Sequence, residues 1–554
     1  MPTTSASEPL PASPAPRERG PWDAWDPEPA RLPAAAKAIV ATVVPGKAHP
    51  VPRRARPTLT PSVLGDDDLA ALAAIVGTDH ATRDDDVRAL HLGGKSTLDL
   101  LRRRLDDPQD APDAVVAPVD HAGVAAVLRA CDGRRIAVVP FGGGTSVVGG
   151  VDPVRGAQRA VIALDLSRTA SLCALDEVSQ LATFGAGTTG PQAEELLGAR
   201  GYTLGHFPQS YLYASLGGFA ATRSSGQASR GYGRFDDLVH ALRVATPRGD
   251  LDLGRAPASA AGPDLRELFL GSEGAFGVLT EVTVRIRPVP AATSYRAWTF
   301  PDFASGAAAF REATQRGLRP TVLRLSDETE TRVNAAMGGH LTRLRGCLAV
   351  ATFEGATTAE AEQARDALDA VFAAHGAKSR GEDPARSWER GRFASPGLRD
   401  TLMDIGVLAE TLETATTWAN LPALKTAVTA ALGASLAAAG TKPIVMCHIS
   451  HVYPAGASLY FTVVAALTED PRAQWAGAKD AASRAIGEAH GTITHHHAVG
   501  RDHRAYLETE IGPLGVALLR AVKATLDPNG IMNPGALVAP APAPEAPAAP
   551  GSLA

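Results

Sequence analysis

The spacing of apolar residues changes character several times along this chain. Short runs of β-branched and apolar residues, RIAVVPF at 135–141, AVIALDL at 160–166 and VTVRIRP at 282–288, predict strands. Between them, HAGVAAVLRAC (121–131) and GPQAEELLGARG (190–201) space their apolar residues as a helix does. This alternation from Val115 to Pro290 predicts an α+β domain with two strand-rich lobes. From Ala291 to about Val499, the strand-like RAWTF, CLAVATFEG and SLYFTVVAA alternate with alanine-rich amphipathic helices, predicting a second sheet covered by helices. Short helices are expected between Leu69 and Leu105, and 501–537 reads as a helix followed by a turn at DPNGIMNPG. No internal repeat is found. The chain then divides into 1–60 as tail and extended segment, 61–109 as a helical segment, 110–290 and 291–500 as two main domains, 501–537 as a helical segment returning to the first of them, and 538–554 as a tail.

Composition narrows this picture. Both ends, about 1–20 and 538–554, are too rich in Pro and Ala to bury a core and are expected to be disordered. A net charge of −5 without a basic block gives a nucleic-acid partner no electrostatic support. The four cysteines lie far apart, which argues against a disulfide framework or a cysteine zinc site and fits a reducing compartment. The first residues lack the basic start and apolar centre of a secretory signal, and no apolar run reaches the roughly 18 residues of a membrane span. A cytoplasmic protein is expected.

Three glycine-rich segments carry the candidate chemistry of the first domain. In PFGGGTSVVGG (140–150), successive glycines let backbone N–H groups approach a pyrophosphate more closely than a Cβ would permit, and two hydroxyls follow. No helix opens directly after these glycines, so a dinucleotide-binding βαβ unit is excluded. ASLGGFAATRSSGQASRGYG (214–233) combines small residues, hydroxyls and arginines and reads as too glycine-rich for a regular helix, while GSEGAFGVLTEVTVRIRP (271–288) sets Glu273 between glycines before a strand. At these intervals the segments resemble the pyrophosphate loop, the isoalloxazine-and-ribityl loop and the closing strand of the FAD domain of the vanillyl-alcohol-oxidase/p-cresol-methylhydroxylase superfamily. That resemblance implies noncovalent FAD, held by Pro140, Gly142, Gly143, Gly144, Thr145 and Ser146 in the first segment. It implies Gln209, Ser210, Ser215, Gly217, Gly218, Thr222, Arg223, Ser225 and Gly226 around the second, and Glu273, Gly274, Gly277 and Val278 in the third.

In the second domain, polar chemistry gathers in GLRDTLMDIGVLAETLETATTW (397–418), HISHVYPAGASLYF (448–461) and THHHAVG (494–500). Adjacent side chains on a strand point to opposite faces, so at most two of the three histidines are expected to share a site. With VLRLSD (322–327) and WDAWDPE (22–28), these segments resemble the alkyldihydroxyacetonephosphate synthase (alkylglycerone-phosphate synthase) family of ether-lipid enzymes. By that resemblance Arg399, Tyr460, His495, His496 and His497 are catalytic, Arg324 bridges the cap to the FAD domain, and no metal takes part. The implied reaction replaces the acyl group of acyl-dihydroxyacetone-phosphate by a fatty alcohol through a flavin N5 adduct, without net oxidation. Tyr460 would shuttle a proton, which requires a pKa lowered toward neutrality by a neighbouring cation. Arg399 would hold a phosphate or the departing carboxylate through its planar fork. A homodimer in peripheral contact with a membrane is the expected assembly for these lipid substrates. Gln209, His448, His451 and Pro454 depart from the family's usual residues. The alternative on the same scaffold is an FAD-dependent D-2-hydroxy acid dehydrogenase of the D-lactate or glycolate type. Such enzymes use a histidine-bound metal, and of that ligand set only His448 would survive here.

Overall fold

The computed structural model describes residues 20–26, 28, 30–32, 34, 37, 38, 40, 49–337 and 345–539. The two expected tails lie outside these residues, apart from Gly20 and residues 538 and 539. Three large sheets, with a two-stranded ribbon of Tyr202–Thr203 and Arg287–Pro288, organise the described residues. The first domain has a four-stranded sheet in the order Ala81–Thr82, Ala114–Val116, Ala160–Asp165, Ile136–Phe141, whose last three strands are parallel. Its other lobe is an antiparallel five-stranded sheet ordered Leu172–Asp176, Leu181–Gly185, Val278–Arg285, Val239–Thr246, Gly249–Leu253. Strands in the parallel sheet are buried on both faces, which is why they read as continuous apolar runs. The helix His121–Arg134 connects two of them. It starts at Asp120, whose carboxylate accepts from Gly123 N, and ends at Arg135 in the left-handed conformation, φ 57°.

The second domain is one antiparallel seven-stranded sheet, in the order Lys378–Ser379, Ala292–Phe300, Cys347–Gly355, Val322–Ser326, Ile444–Ile449, Gly456–Ala466, Val407–Thr417. The helices Phe303–Gln315, Thr358–Ala374, Leu421–Ala438 and Pro471–Glu488 pack on it. Between sheet and helices lies an aromatic core of Trp298, Phe300, Phe310, Phe353 and Phe372, each about 2% exposed or less. Burying each ring contributes roughly 1.5–3 kcal/mol. With this core the cap holds its sheet as a rigid wall, and one end of that wall carries the candidate chemistry.

Three expectations need correction. The 214–233 segment is not irregular throughout: Ser215 caps a short helix, Leu216–Ala221, by accepting from Gly218 N. Its glycine at 217 is there for packing, since a Cβ would run into Ala186. Helix Leu421–Ala438 has 18 residues and a mean hydropathy of 1.3, long and apolar enough to span a bilayer by those measures. Its buried residues, Leu421, Leu424, Val428, Leu432 and Leu436, fall on one stripe facing the cap core, which accounts for that hydropathy without a membrane. Finally, DPNGIMNPG is more than a turn. Its Met532 pairs with Val138 as a further parallel bridge on the four-stranded sheet, and Ile531 and Met532 are wholly buried.

Candidate active site

The three glycine-rich segments come together in space. A Cβ on Gly142 would strike Ser215 Oγ, and one on Gly143 would overlap the carbonyl of Tyr213, so the first loop needs its glycines to lie against the second. Glu273 ties in the third. It is buried with φ 52°, accepts from Gly500 N at 2.6 Å and lies against Gly150. Burial raises its carboxyl to about 7, against the pull of the Gly500 amide and Arg501. Asn533 closes the same knot by donating to the carbonyls of Gly150 and Glu273. Glu273 therefore holds loops to one another. Arg223 is engaged by Asp236 and Glu267, and Thr222 Oγ1 donates to Gly218 O. Gly274 packs on Pro140, and Gly277 packs on the carbonyl of Ala245 just before Val278 opens its strand. Gln209 and Ser210 lie in the turn leading into Tyr213.

Sequence reasoning overlooked two cations beside the first loop. Lys95 and Arg103 border a small cavity with Gly143 and Gly144. Lys95 donates to the carbonyls of Pro21 and Ala24, while burial and the neighbouring Arg103 lower its pKa to about 7. GGKST at 93–97 was the available signal.

In the cap, the register of the last two strands sets Glu413 opposite Tyr460. Directly opposed residues share a face of the sheet, and residues three apart on one strand do not. Glu413 therefore faces Tyr460, and Glu410 faces away. Glu413 is 2% exposed and gathers the histidine tract around itself. Its oxygens accept from Thr494 Oγ1 at 2.5 Å and from the amides of His495, His496 and His497 at 2.6, 3.2 and 3.0 Å. Burial would raise this carboxyl, but His496 and the other two histidines override it and hold it well below the usual carboxylate range.

Because the tract curls around one carboxylate, it is a loop and not a strand, and the two-face restriction does not apply. The ring of Tyr460 stacks between His448, at 4.8 Å and 20°, and His496, at 5.9 Å and 19°, while His497 meets it edge-on at 5.7 Å. His495 contacts Tyr453, whose hydroxyl is 2.6 Å from Nε2. Burial lowers His495 well below the ordinary histidine value and takes His451 and His497 to about 3, so these rings are uncharged near neutral pH.

The expectation of a lowered tyrosine is overturned. Burial pushes the Tyr460 phenol up to about 12, with Glu410 and Glu413 adding to it. The Thr411 hydrogen bond and the Arg399 charge do not offset this. Arg399 is also held elsewhere. Its guanidinium bonds Glu410 and the carbonyl of Lys95 and lies 5.6 Å from the Trp25 ring, at the edge of the sheet. Arg324 does not bridge the domains through its observed contacts. It bonds Glu330 and His448, both in the cap. His448 is thereby occupied, and His451 takes the place facing His495 and His496.

Between the two halves lies a cavity of about 350 Å³. Thr222, Arg223, Arg234 and Gly271 line one side, and Thr494, His495, His496 and Val499 the other. Flavin has many ring and ribityl polar atoms to satisfy, and the second loop has buried groups without partners to meet them. Ser225 Oγ, Gln227 Oε1 and His206 Nδ1 are buried with no hydrogen-bond partner among the described residues. Buried polar groups are rarely left this way, so the residues fit a bound polar cofactor.

Comparison with known proteins points the same way. Residues 112–252 match the family model described as FAD binding domain, and 289–537 match FAD linked oxidases, C-terminal domain. Alkyldihydroxyacetonephosphate synthase of Trypanosoma brucei brucei is 32% identical, covering 87% of this chain and 82% of that protein. The Dictyostelium discoideum enzyme of the same name is 30% identical over 81% and 77%. A mitochondrial D-lactate dehydrogenase [cytochrome] of Arabidopsis thaliana is 28% identical over 77% and 74%. A solved alkyldihydroxyacetonephosphate synthase superposes with a TM-score of 0.80 at 26% identity, covering 93% of this chain and 98% of that one. p-Cresol methylhydroxylase, at 13% identity and a TM-score of 0.68, shares the fold.

Proposed function

The chain belongs to the alkyldihydroxyacetonephosphate synthase family, and from that premise we propose that it exchanges the acyl group of an acyl-dihydroxyacetone-phosphate for a fatty alcohol. FAD is its cofactor. The observation that carries the reading is that His495 and His496 face the second and third glycine-rich segments across one cavity, with the Tyr460 ring stacked against His496. When bound, FAD supplies the electronic activation of the substrate carbon and is returned in its original redox state.

The chain's own residues supply the proton chemistry. The exchange releases a carboxylate and takes in an alcohol oxygen, so one proton must leave the alcohol and one must be managed at the carbon beside the ketone. A phenol near 12 is protonated at neutral pH, which makes Tyr460 a proton donor and holder in the resting site. The uncharged imidazole of His497 keeps a lone pair for the alcohol's proton. Arg223 and Arg234 on the cavity wall are the cations nearest to hand for a phosphate. Arg399 stands behind the site and holds Glu410 and the Lys95 segment against the end of the sheet. A cytoplasmic homodimer that touches membranes only to collect its lipid substrates completes the reading.

Labelled fatty alcohol should enter acyl-dihydroxyacetone-phosphate in the absence of any electron acceptor. A strict need for an acceptor, or flavin reduction by D-lactate, would move the protein to the dehydrogenases. Noncovalent FAD is part of this reading, so acid precipitation should free all the yellow colour. Flavin left on the precipitated chain would contradict noncovalent binding.

A further inference from the structure

Three imidazoles from two separate segments converge beside the cavity. One nitrogen from each of His451, His495 and His496 lies within 4.8 Å of the others. The Nδ1 atoms of His495 and His496 are 3.1 Å apart. Two nitrogens bound to one tetrahedral ion at 2.0–2.1 Å would stand about 3.3 Å apart, so these rings need little movement to share one.

Their other contacts are those that orient metal-binding imidazoles. His451 Nε2 faces the carbonyl of Gly226 at 3.1 Å, and His495 Nε2 meets the Tyr453 hydroxyl. His451 Nδ1 has only the rotatable hydroxyls of Ser450 and Ser458 beside it. The buried Glu413 carboxylate, 3.4 Å from His496 Nδ1, places a negative charge next to the cluster. Both segments are also fixed through their backbones. His451 exchanges hydrogen bonds with Ser458, and the tract hangs on Glu413. The histidine singled out from sequence for a metal was His448, but Arg324 and Glu330 occupy it.

We propose that His451, His495 and His496 form a site for a divalent transition ion of the zinc class, its fourth position open to water or an oxygen ligand from the cavity. Three neutral imidazoles with one open position is a common zinc arrangement. The site does not depend on the reaction proposed above, and its test does not use turnover.

Tag-free, FAD-loaded protein is stripped with a chelator and titrated with cobalt(II), read as difference spectra to the red of the flavin band. Tetrahedral d–d bands saturating at one equivalent, lost on adding zinc, are expected. His451→Gln and His496→Gln should each abolish them while flavin content stays at the wild-type level. No band in the wild-type protein, as for a plain hydrogen bond between His495 and His496, overturns the site. A band surviving in both variants overturns it equally. Should one variant fail to retain flavin, the other decides.

Discussion

Tyr460→Phe is expected to lower the exchange rate by about 10²–10⁴ while leaving FAD content unchanged, the usual cost of losing one acid–base group. The fold has no reason to object. The ring is clasped between His448 and His496 with His497 at its edge, and phenylalanine keeps all three contacts. What disappears is one hydroxyl and its bond to Thr411, worth about 0.5–1.5 kcal/mol of stability. A loss of rate this large with so small a loss of stability separates chemistry from packing. Initial rates of labelled alcohol incorporation, with flavin absorbance and a thermal midpoint on the same samples, test it. A variant at wild-type rate would make Tyr460 a core residue of its strand and nothing more.

Glu413→Ala should have the largest effect of any single change in the cap. Four donors converge on this carboxylate, three of them backbone amides of consecutive histidines. Removing it strands those amides away from water and leaves His496 without the carboxylate beside it, which together should cost about 3–5 kcal/mol. Activity should fall at least as far as in Tyr460→Phe, because the stacked ring and the whole tract lose their common anchor. The pH dependence has a definite sign. A carboxyl held below its unfolded value near 4.3 stabilises the fold fully at neutral pH, and that contribution drains away only as pH falls through the lower folded value. Wild type should thus lose stability steeply below about pH 4.3, and Glu413→Gln should show a shallower acid limb. Equal acid limbs for the two proteins, by thermal midpoint against pH, would remove Glu413 from this role.

Much of this arrangement could be read from sequence. Glycines at 142–144 and around 273 report directly on backbone approach, because a Cβ has nowhere to go there. The strands and helices of both domains follow from periodicity. The anchoring of the site does not. Glu413 in a β-strand looks like any solvent-facing carboxylate, and only the register that sets it against Tyr460 shows otherwise. The same lack of register hid the difference between His448 and His451, three residues apart and turned to different partners. Two features were misread for physical reasons. A cation near Tyr460 was expected to win over burial, but Arg399 is committed to Glu410. The histidine tract was given strand alternation, which a loop wound around one carboxylate does not obey.

The return of residues 527–533 to the first domain bears on how the protein comes off the ribosome. Asn533 bonds the carbonyl of Gly150, 383 residues earlier, and Met532 lies beside Val138. The glycine loops are thus translated early but cannot be locked together until residues 527–533 have emerged. For most of synthesis the nascent first domain exposes an unfinished sheet edge at Ile136–Phe141, a surface that invites pairing with other chains. Chaperone occupancy should persist until residues 527–533 emerge, and flavin capture should follow that point.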